Sequence, residues 1–377
     1  MTPDDRDDEA LLRLALAGGS VPARRRLLDT HGSATAALAA GVRDWRSHGL
    51  EDAQVQALSQ PDTAMLARVH AWLADPAHHL LGWHDPDYPA LLRRIASPPL
   101  LLYVAGDPAS LWHPLVAVVG TRSPTAGGRD NARDFAQALA ASGLGIVSGL
   151  AAGVDTEAHS GALAMDARTV AVLGTGPDVP YPRANTTLHG RVVGAGAVVS
   201  EHPPGTQARR EHFPSRNRII AGLALGTLVV EAAERSGALI TARMATEAGR
   251  DVFAVPGSIH NPLARGCHRL IREGAGLVET AQEVIESIGS AAADLADALR
   301  GRLQAPTFPA APEVHRRCTP LAPGYQRLWE ALGYDPSGMD QLVVRTGLTV
   351  AELSSMLLVM ELEGRVDAEH GRYSRKR

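Results

Sequence analysis

Six short apolar runs recur through the middle of the chain: LVAVVG (115–120), GLGIVSG (143–149), TVAVLGTG (169–176), GAVVSE (196–201), GTLVVEAA (226–233) and DVFAVPG (251–257). They are rich in β-branched residues and apolar at almost every position. That is the pattern of strands covered on both faces rather than on one. Between them, ARDFAQALAASG, TEAHSGALAMDA and SGALITARMATEAG carry apolar residues at helical spacing. Strands alternating with helices predict an α/β fold, an extended Rossmann-like, doubly wound, mostly parallel sheet with ligands at the carboxyl ends of its strands.

The flanks differ. Residues 9–75 are helical in pattern throughout, and residues 84–106 are extended and punctuated by proline, feeding a short strand over Leu100–Val104. LQAPTFPAAPEVHRRCTPLAP reads as a Pro-rich linker. Beyond it the pattern is helix, turn, helix and a hairpin over Val366–Tyr373. Thr349 and Glu352 form a capping box, as in a winged helix. The expected division is a small N-terminal helical domain (1–78), similar to a SAM or helix-hairpin-helix module, a Rossmann-like domain (79–288), a linker (289–322) and a winged-helix domain (323–377).

Composition narrows the class. The 377 residues carry a net charge of −4, so any basic surface is local. Lys376 is the only lysine, which leaves arginine as the source of positive charge. No apolar run is long enough to span a membrane, and the acidic start MTPDDRDDEA lacks a signal-peptide pattern, so a cytoplasmic protein is expected. Two cysteines, Cys267 and Cys318, are too few for a zinc cluster. His78, His79 and His84 lack a regular ligand spacing and are expected on the surface. No metal, no cofactor and no catalytic residue is expected.

The strand ends carry the candidate chemistry. A dinucleotide loop would continue G-x-G-x-x-G. Here Gly120 is followed by Thr121, Arg122, Ser123 and Pro124, which put a guanidinium at the opening of a helix, a place that favours phosphate. Gly149 and Gly153 bracket small residues that let backbone amides approach a ligand. Asp155 and His159, four apart, form a candidate acid–base pair, more often a cap and a structural histidine. In ARREHFPSRNRIIAGL, Arg209, Arg210, Arg216 and Arg218 surround Phe213 and Asn217. A ring among cations is how single-stranded nucleic acid is held, the base on the ring and phosphates on the guanidiniums. Against this, Phe213 could plug the sheet edge while the arginines pair with acids such as Glu231, Arg218 above all. Ser236 and Gly237 open another helix, which continues through Thr241.

These stretches, VAVVGTRSPT, SGLAAGVDTEAH, VAVLGTGPDVPYP, FPSRNRIIAGL, VVEAAERSGALITA, VPG and GCHRLIREGA, in this order closely resemble the bacterial DNA-processing protein A (Smf) family over roughly residues 80–285. The resemblance implies a homodimeric protein of natural transformation. Such a protein binds and protects incoming single-stranded DNA, loads RecA recombinase onto it and displaces single-strand-binding protein. It implies DNA-contacting roles for Arg122, Arg210 and Phe213. His268 departs from the family's usual asparagine. One rival is a nucleoside-monophosphate phosphoribohydrolase built around Glu231, although the glycine pair of that signature is missing. The other is a transcription regulator using the winged helix, although TVAELSSMLLVMELEG is acidic and repels a duplex.

Overall fold

The computed structural model describes residues 3–304, 323–332, 337–362, 366–369 and 372–375. The chain divides into two compact units, residues 1–305 and 306–377.

In the first unit, six helices run from Pro3 to Leu73. Their apolar faces close in two clusters. One joins Leu14, Leu27, Leu28 and Trp45 to Leu100, and the other joins Leu12, Leu66 and Val69 to Leu101 and Tyr103. The helical segment thus shares its core with strands β1 (His78–Gly82) and β2 (Leu101–Gly106), which pair antiparallel. The expected strand at Leu100–Val104 is β2, shifted by one residue at its start. Its partner β1 was not anticipated, because HHLLG has only two buried positions and reads as a polar edge.

The remaining strands are β3 (Leu115–Val119), β4 (Gly145–Ser148), β5 (Thr169–Leu173), β6 (Ala197–Ser200), β7 (Gly226–Val229), β8 (Asp251–Ala254) and β9 (Gly276–Leu277). They lie in the order β1-β2-β6-β5-β4-β3-β7-β8-β9, parallel from β6 to β9. The six apolar runs are all strands, and the sheet is mostly parallel with an antiparallel edge. All five residues of β3 are buried, Leu115, Ala117 and Val119 in one core layer and Val116 and Val118 in the other. This is the period-two signature of a strand covered on both faces. The chain runs outward from β3 to β6 and then crosses back to β7 on the other side of β3. That reversal places the topological switch point, the usual ligand crevice, at the carboxyl ends of β3 and β7. Among the described residues, no helix is long and apolar enough to cross a membrane.

The second unit packs helices Pro323–Ala331, Met339–Thr346 and Val350–Leu362 around Leu328, Leu342, Leu353, Leu357 and Met360. A three-stranded sheet of Ser337–Gly338, Val366–Glu369 and Arg372–Arg375 completes it. The capping box forms: Thr349 Oγ1 accepts from the Glu352 amide at 3.3 Å, and the Glu352 carboxylate accepts from the Thr349 amide at 2.9 Å.

Candidate nucleic-acid interface

The loop after β3 is held from below. The Thr121 amide donates to Glu231 O at 2.7 Å across the switch point. The Val154 amide donates to Thr121 O at 3.2 Å, joining this loop to the one after β4. Gly153 makes that junction possible. Its φ is +86°, and a Cβ there would lie 2.7 Å from the Arg122 backbone. With its backbone pinned on both sides, the loop projects Arg122 and Ser123 into solvent.

Glu231 is buried and fully engaged. Its carboxylate accepts from the Thr125 amide at 2.9 Å, from Thr125 Oγ1 at 2.8 Å and from Asn261 Nδ2 at 3.1 Å. Thr125 Oγ1 in turn caps the Ala126–Ala141 helix through the Gly128 amide at 3.0 Å. Glu231 therefore positions the Arg122 loop.

The loop after β6 leads into helix His212–Leu223, which returns across the sheet. Arg209 and Arg210 are exposed on its approach, and Phe213 is half-buried in its first turn. The Arg122 guanidinium lies over the Phe213 ring, 5.6 Å from its centroid. Tyr181, from the loop after β5, tilts against the same ring with centroids 5.2 Å apart and an interplanar angle of 39°. Two loops and the first turn of a helix thus supply one cluster of two rings and a cation. Tyr181 was missed by the sequence reading, although it obeys the rule that singled out Phe213: an aromatic between prolines, VPYPR, beside an arginine.

Below this surface the expected site residues take other tasks. Arg216 is buried, and its guanidinium donates to Gly149 O at 2.7 Å, to Val172 O and to Asn217 Oδ1 at 3.1 Å. Gly149 is required by that approach, since a Cβ would overlap the guanidinium. Asp155 accepts from the amides of Gly149 at 3.1 Å and Ala151 at 3.3 Å. Burial pushes Asp155 up and Arg216 down to about 10, and each charge opposes the shift of the other. Asn217 is buried as well, its Nδ2 reaching Gly237 O at 3.5 Å.

Arg218 pairs with an acid, but with Glu201 rather than Glu231. Its Nη2 lies 2.7 Å from both carboxylate oxygens, Nε donates to Ser97 O at 2.8 Å and Nη1 to Ser215 O at 2.9 Å. A phosphate would have to compete with a complete set of partners. Thr241 is buried on the inner face of helix Gly237–Glu247, and Ser236 caps that helix by accepting from the Ala238 amide at 3.2 Å. Ser236 and Gly237 line a different groove, of about 1140 Å³, shared with Arg243, Arg250 and Phe253.

Asp155 and His159 do not form an acid–base pair. His159 is fully buried and its Nδ1 meets Thr169 Oγ1 at 2.7 Å, while that hydroxyl donates to Ile146 O at 3.0 Å. The hydroxyl's only proton is thus used, so Nδ1 carries the hydrogen. Burial and the nearby Arg216 push His159 down to about 3. His202 stacks on His212 with centroids 3.8 Å apart, and burial with that neighbour pushes it down to about 4 against the pull of Glu201. Near neutral pH, the positive charge at this edge therefore includes the exposed Arg122, Arg209 and Arg210 but not His202. His84 is on the surface as expected, whereas His78 is half-buried. His78 stacks on Trp72 and reaches its carbonyl at 2.7 Å, and His84 lies 2.9 Å from Asp29.

Residues 79–289 match the family model described as DNA recombination-mediator protein A, and residues 309–372 match the DprA winged helix domain. Protein Smf of Synechocystis is 41% identical over 318 residues, 78% of this chain and 79% of that protein. The X-ray structure of DNA processing protein A from Streptococcus pneumoniae superposes with a TM-score of 0.66 at 38% identity, covering 73% of this chain and 95% of that one. DNA processing protein A from Helicobacter pylori, whose structure is described as giving insight into its single-stranded DNA binding mode, gives a TM-score of 0.51 at 27% identity over 56% of this chain and 96% of its own. The chain belongs to the DNA recombination-mediator protein A family.

Proposed function

We propose that this protein binds single-stranded DNA at the Arg122–Phe213–Tyr181 cluster and acts, without a chemical step, as a mediator that loads RecA onto that DNA during natural transformation. The observation that carries the reading is the guanidinium lying over an accessible aromatic ring at the switch-point edge. In the free protein, Arg122 covers a face of Phe213. A strand brings both partners for an exchange: a phosphate takes the guanidinium and a base takes the ring face. Gly120, Thr121, Ser123 and Gly153 shape the loop under the phosphate, and Arg210 supplies a second cation. Gly149, Arg216, Asn217, Arg218, Ser236, Gly237 and Thr241 act as supports. The single-stranded DNA binding named for the H. pylori protein supports the choice of ligand. The reading extends to a cytoplasmic homodimer of four segments, 1–78, 79–288, 289–322 and 323–377.

The mediator step is tested on an oligonucleotide pre-coated with single-strand-binding protein. The full chain is expected to shorten the lag of RecA's DNA-dependent ATP hydrolysis. A lag unaffected by the chain overturns the RecA assignment while leaving DNA binding intact. The acidic helix Val350–Leu362 is poorly suited to phosphate. A chain ending at residue 305, which keeps the first unit whole, is therefore expected to bind the bare oligonucleotide within about twofold of the full chain, the winged helix adding no phosphate contact to the salt-dependent term. Fluorescence anisotropy at one salt concentration decides, and a loss well beyond that puts the second unit in the interface.

A further inference from the structure

We infer that the N-terminal helical segment holds a transition-metal ion of the zinc class, bound by His31, Asp44 and His48. The three come from two helices. Helix Val21–His31 ends where Gly32 turns left-handed, φ +73°, with its amide on Leu28 O, so the His31 ring stands at a helix terminus. Asp44 lies in helix Gly41–Ser47, and His48 follows four residues later, on the same face. One carboxylate oxygen, Asp44 Oδ2, receives both rings: His31 Nε2 at 2.8 Å and His48 Nδ1 at 3.3 Å. All three ligand atoms lie within 4.8 Å of one another, a convergence found for this group alone among the described residues.

The geometry suits a metal. Zinc at 2.0–2.2 Å from nitrogen and oxygen ligands separates neighbouring ligand atoms in a tetrahedron by about 3.3 Å. Small ring movements reach that arrangement from the present contacts. The far nitrogen of His48, Nε2, lies 3.2 Å from Thr30 Oγ1. In the present arrangement Nδ1 carries the hydrogen, since it faces the Asp44 backbone oxygen at 2.9 Å as well as the carboxylate, so a metal must displace that proton. A hydrogen moved to Nε2 and donated to Thr30 would then be the outer-shell bond that fixes a ligating histidine. Two imidazoles with one carboxylate select zinc, cobalt, nickel or copper over magnesium or calcium, which prefer oxygen. The side chains are 24%, 35% and 19% exposed for His31, Asp44 and His48, so water can complete the coordination. Such an ion would tie the end of helix Val21–His31 to helix Gly41–Ser47, across the intervening helix Ala34–Ala39, and steady the segment that covers β1 and β2.

The test uses the full chain stripped with a chelator, with Zn²⁺ as probe in competition with a chromogenic chelator. The expected result is one tight zinc per chain. Binding should release protons and weaken as pH falls, because the ring nitrogens must be bare. Co²⁺ in its place should give the intense visible absorption of a tetrahedral site. His31→Gln with His48→Gln should abolish that spectrum and weaken zinc by more than about tenfold, at unchanged helix content by circular dichroism. Should that double variant lose helix content, Asp44→Asn, which keeps the shape, should still weaken zinc by about tenfold. Failure of the wild type to bind zinc at micromolar concentrations overturns the inference. So does a folded variant that holds zinc as the wild type does.

Discussion

Phe213→Ala is expected to weaken binding of a single-stranded oligonucleotide by about 5- to 140-fold, the equivalent of losing about 1–3 kcal/mol of base stacking. The ring is half-buried at the start of helix His212–Leu223, so its removal leaves an exposed notch rather than a core cavity, and the fold should be little affected. Two further variants separate stacking from simple bulk. Phe213→Tyr keeps the π-face and should retain most of the affinity. Phe213→Leu keeps apolar volume without a π-face and should behave like alanine. Anisotropy titrations at fixed salt read all three. Equal affinity for phenylalanine and leucine at this position would mean that no base stacks there.

Arg216→Met is expected to destabilise the protein by about 1–3 kcal/mol for each buried acceptor it leaves bare, and it also removes the nearby buried charge that favours the ionised form of Asp155. The loss has a specific cause. The guanidinium is the donor to Gly149 O and Val172 O, so methionine strips hydrogen bonds from carbonyls at the ends of β4 and β5. Urea unfolding should show a lower midpoint with an unchanged slope. Adding Asp155→Asn to the variant should recover part of the loss, since it removes the stranded charge, and the double-mutant cycle measures how much. Gly149→Ala presses on the same guanidinium from the other side and should destabilise in the same direction. A midpoint unmoved in Arg216→Met would mean that this guanidinium does not hold the loop.

The six central strands were legible because a strand covered on both faces must be apolar throughout, which no exposed segment imitates. Strand β1 was not, because an edge strand with one covered face leaves too short a pattern in HHLLG. At the interface, Arg122 was legible from what its loop lacks, the second glycine of a dinucleotide site, and Phe213 from the scarcity of aromatics. The arginines around Phe213 were harder to sort. Composition treats Arg210, Arg216 and Arg218 alike, yet the first is exposed, the second buried and the third tied to Glu201. A signal for Arg216 was present in helical phase: it lies three and four residues before Ile219 and Ile220 and seven before Leu223, on the face that packs inward. The partner of Arg218 was out of reach, because Glu201 and Glu231 are equally plausible acids until the crossover sets which strand end the helix passes. The His31, Asp44 and His48 cluster was likewise invisible, since only the fold of the intervening segment, with its helix Ala34–Ala39, brings His31 to the other two.

The most direct test of the central claim is a salt series of binding constants for a labelled single strand and its duplex, measured on the wild type and on Arg122→Ala with Phe213→Ala. The account predicts single-strand selectivity, affinity that falls steeply with salt, a large loss in the double variant, and a salt slope reduced by about 0.7 for the one phosphate contact removed with Arg122. Duplex bound as tightly as the single strand, or a double variant with the affinity and salt slope of the wild type, would contradict it.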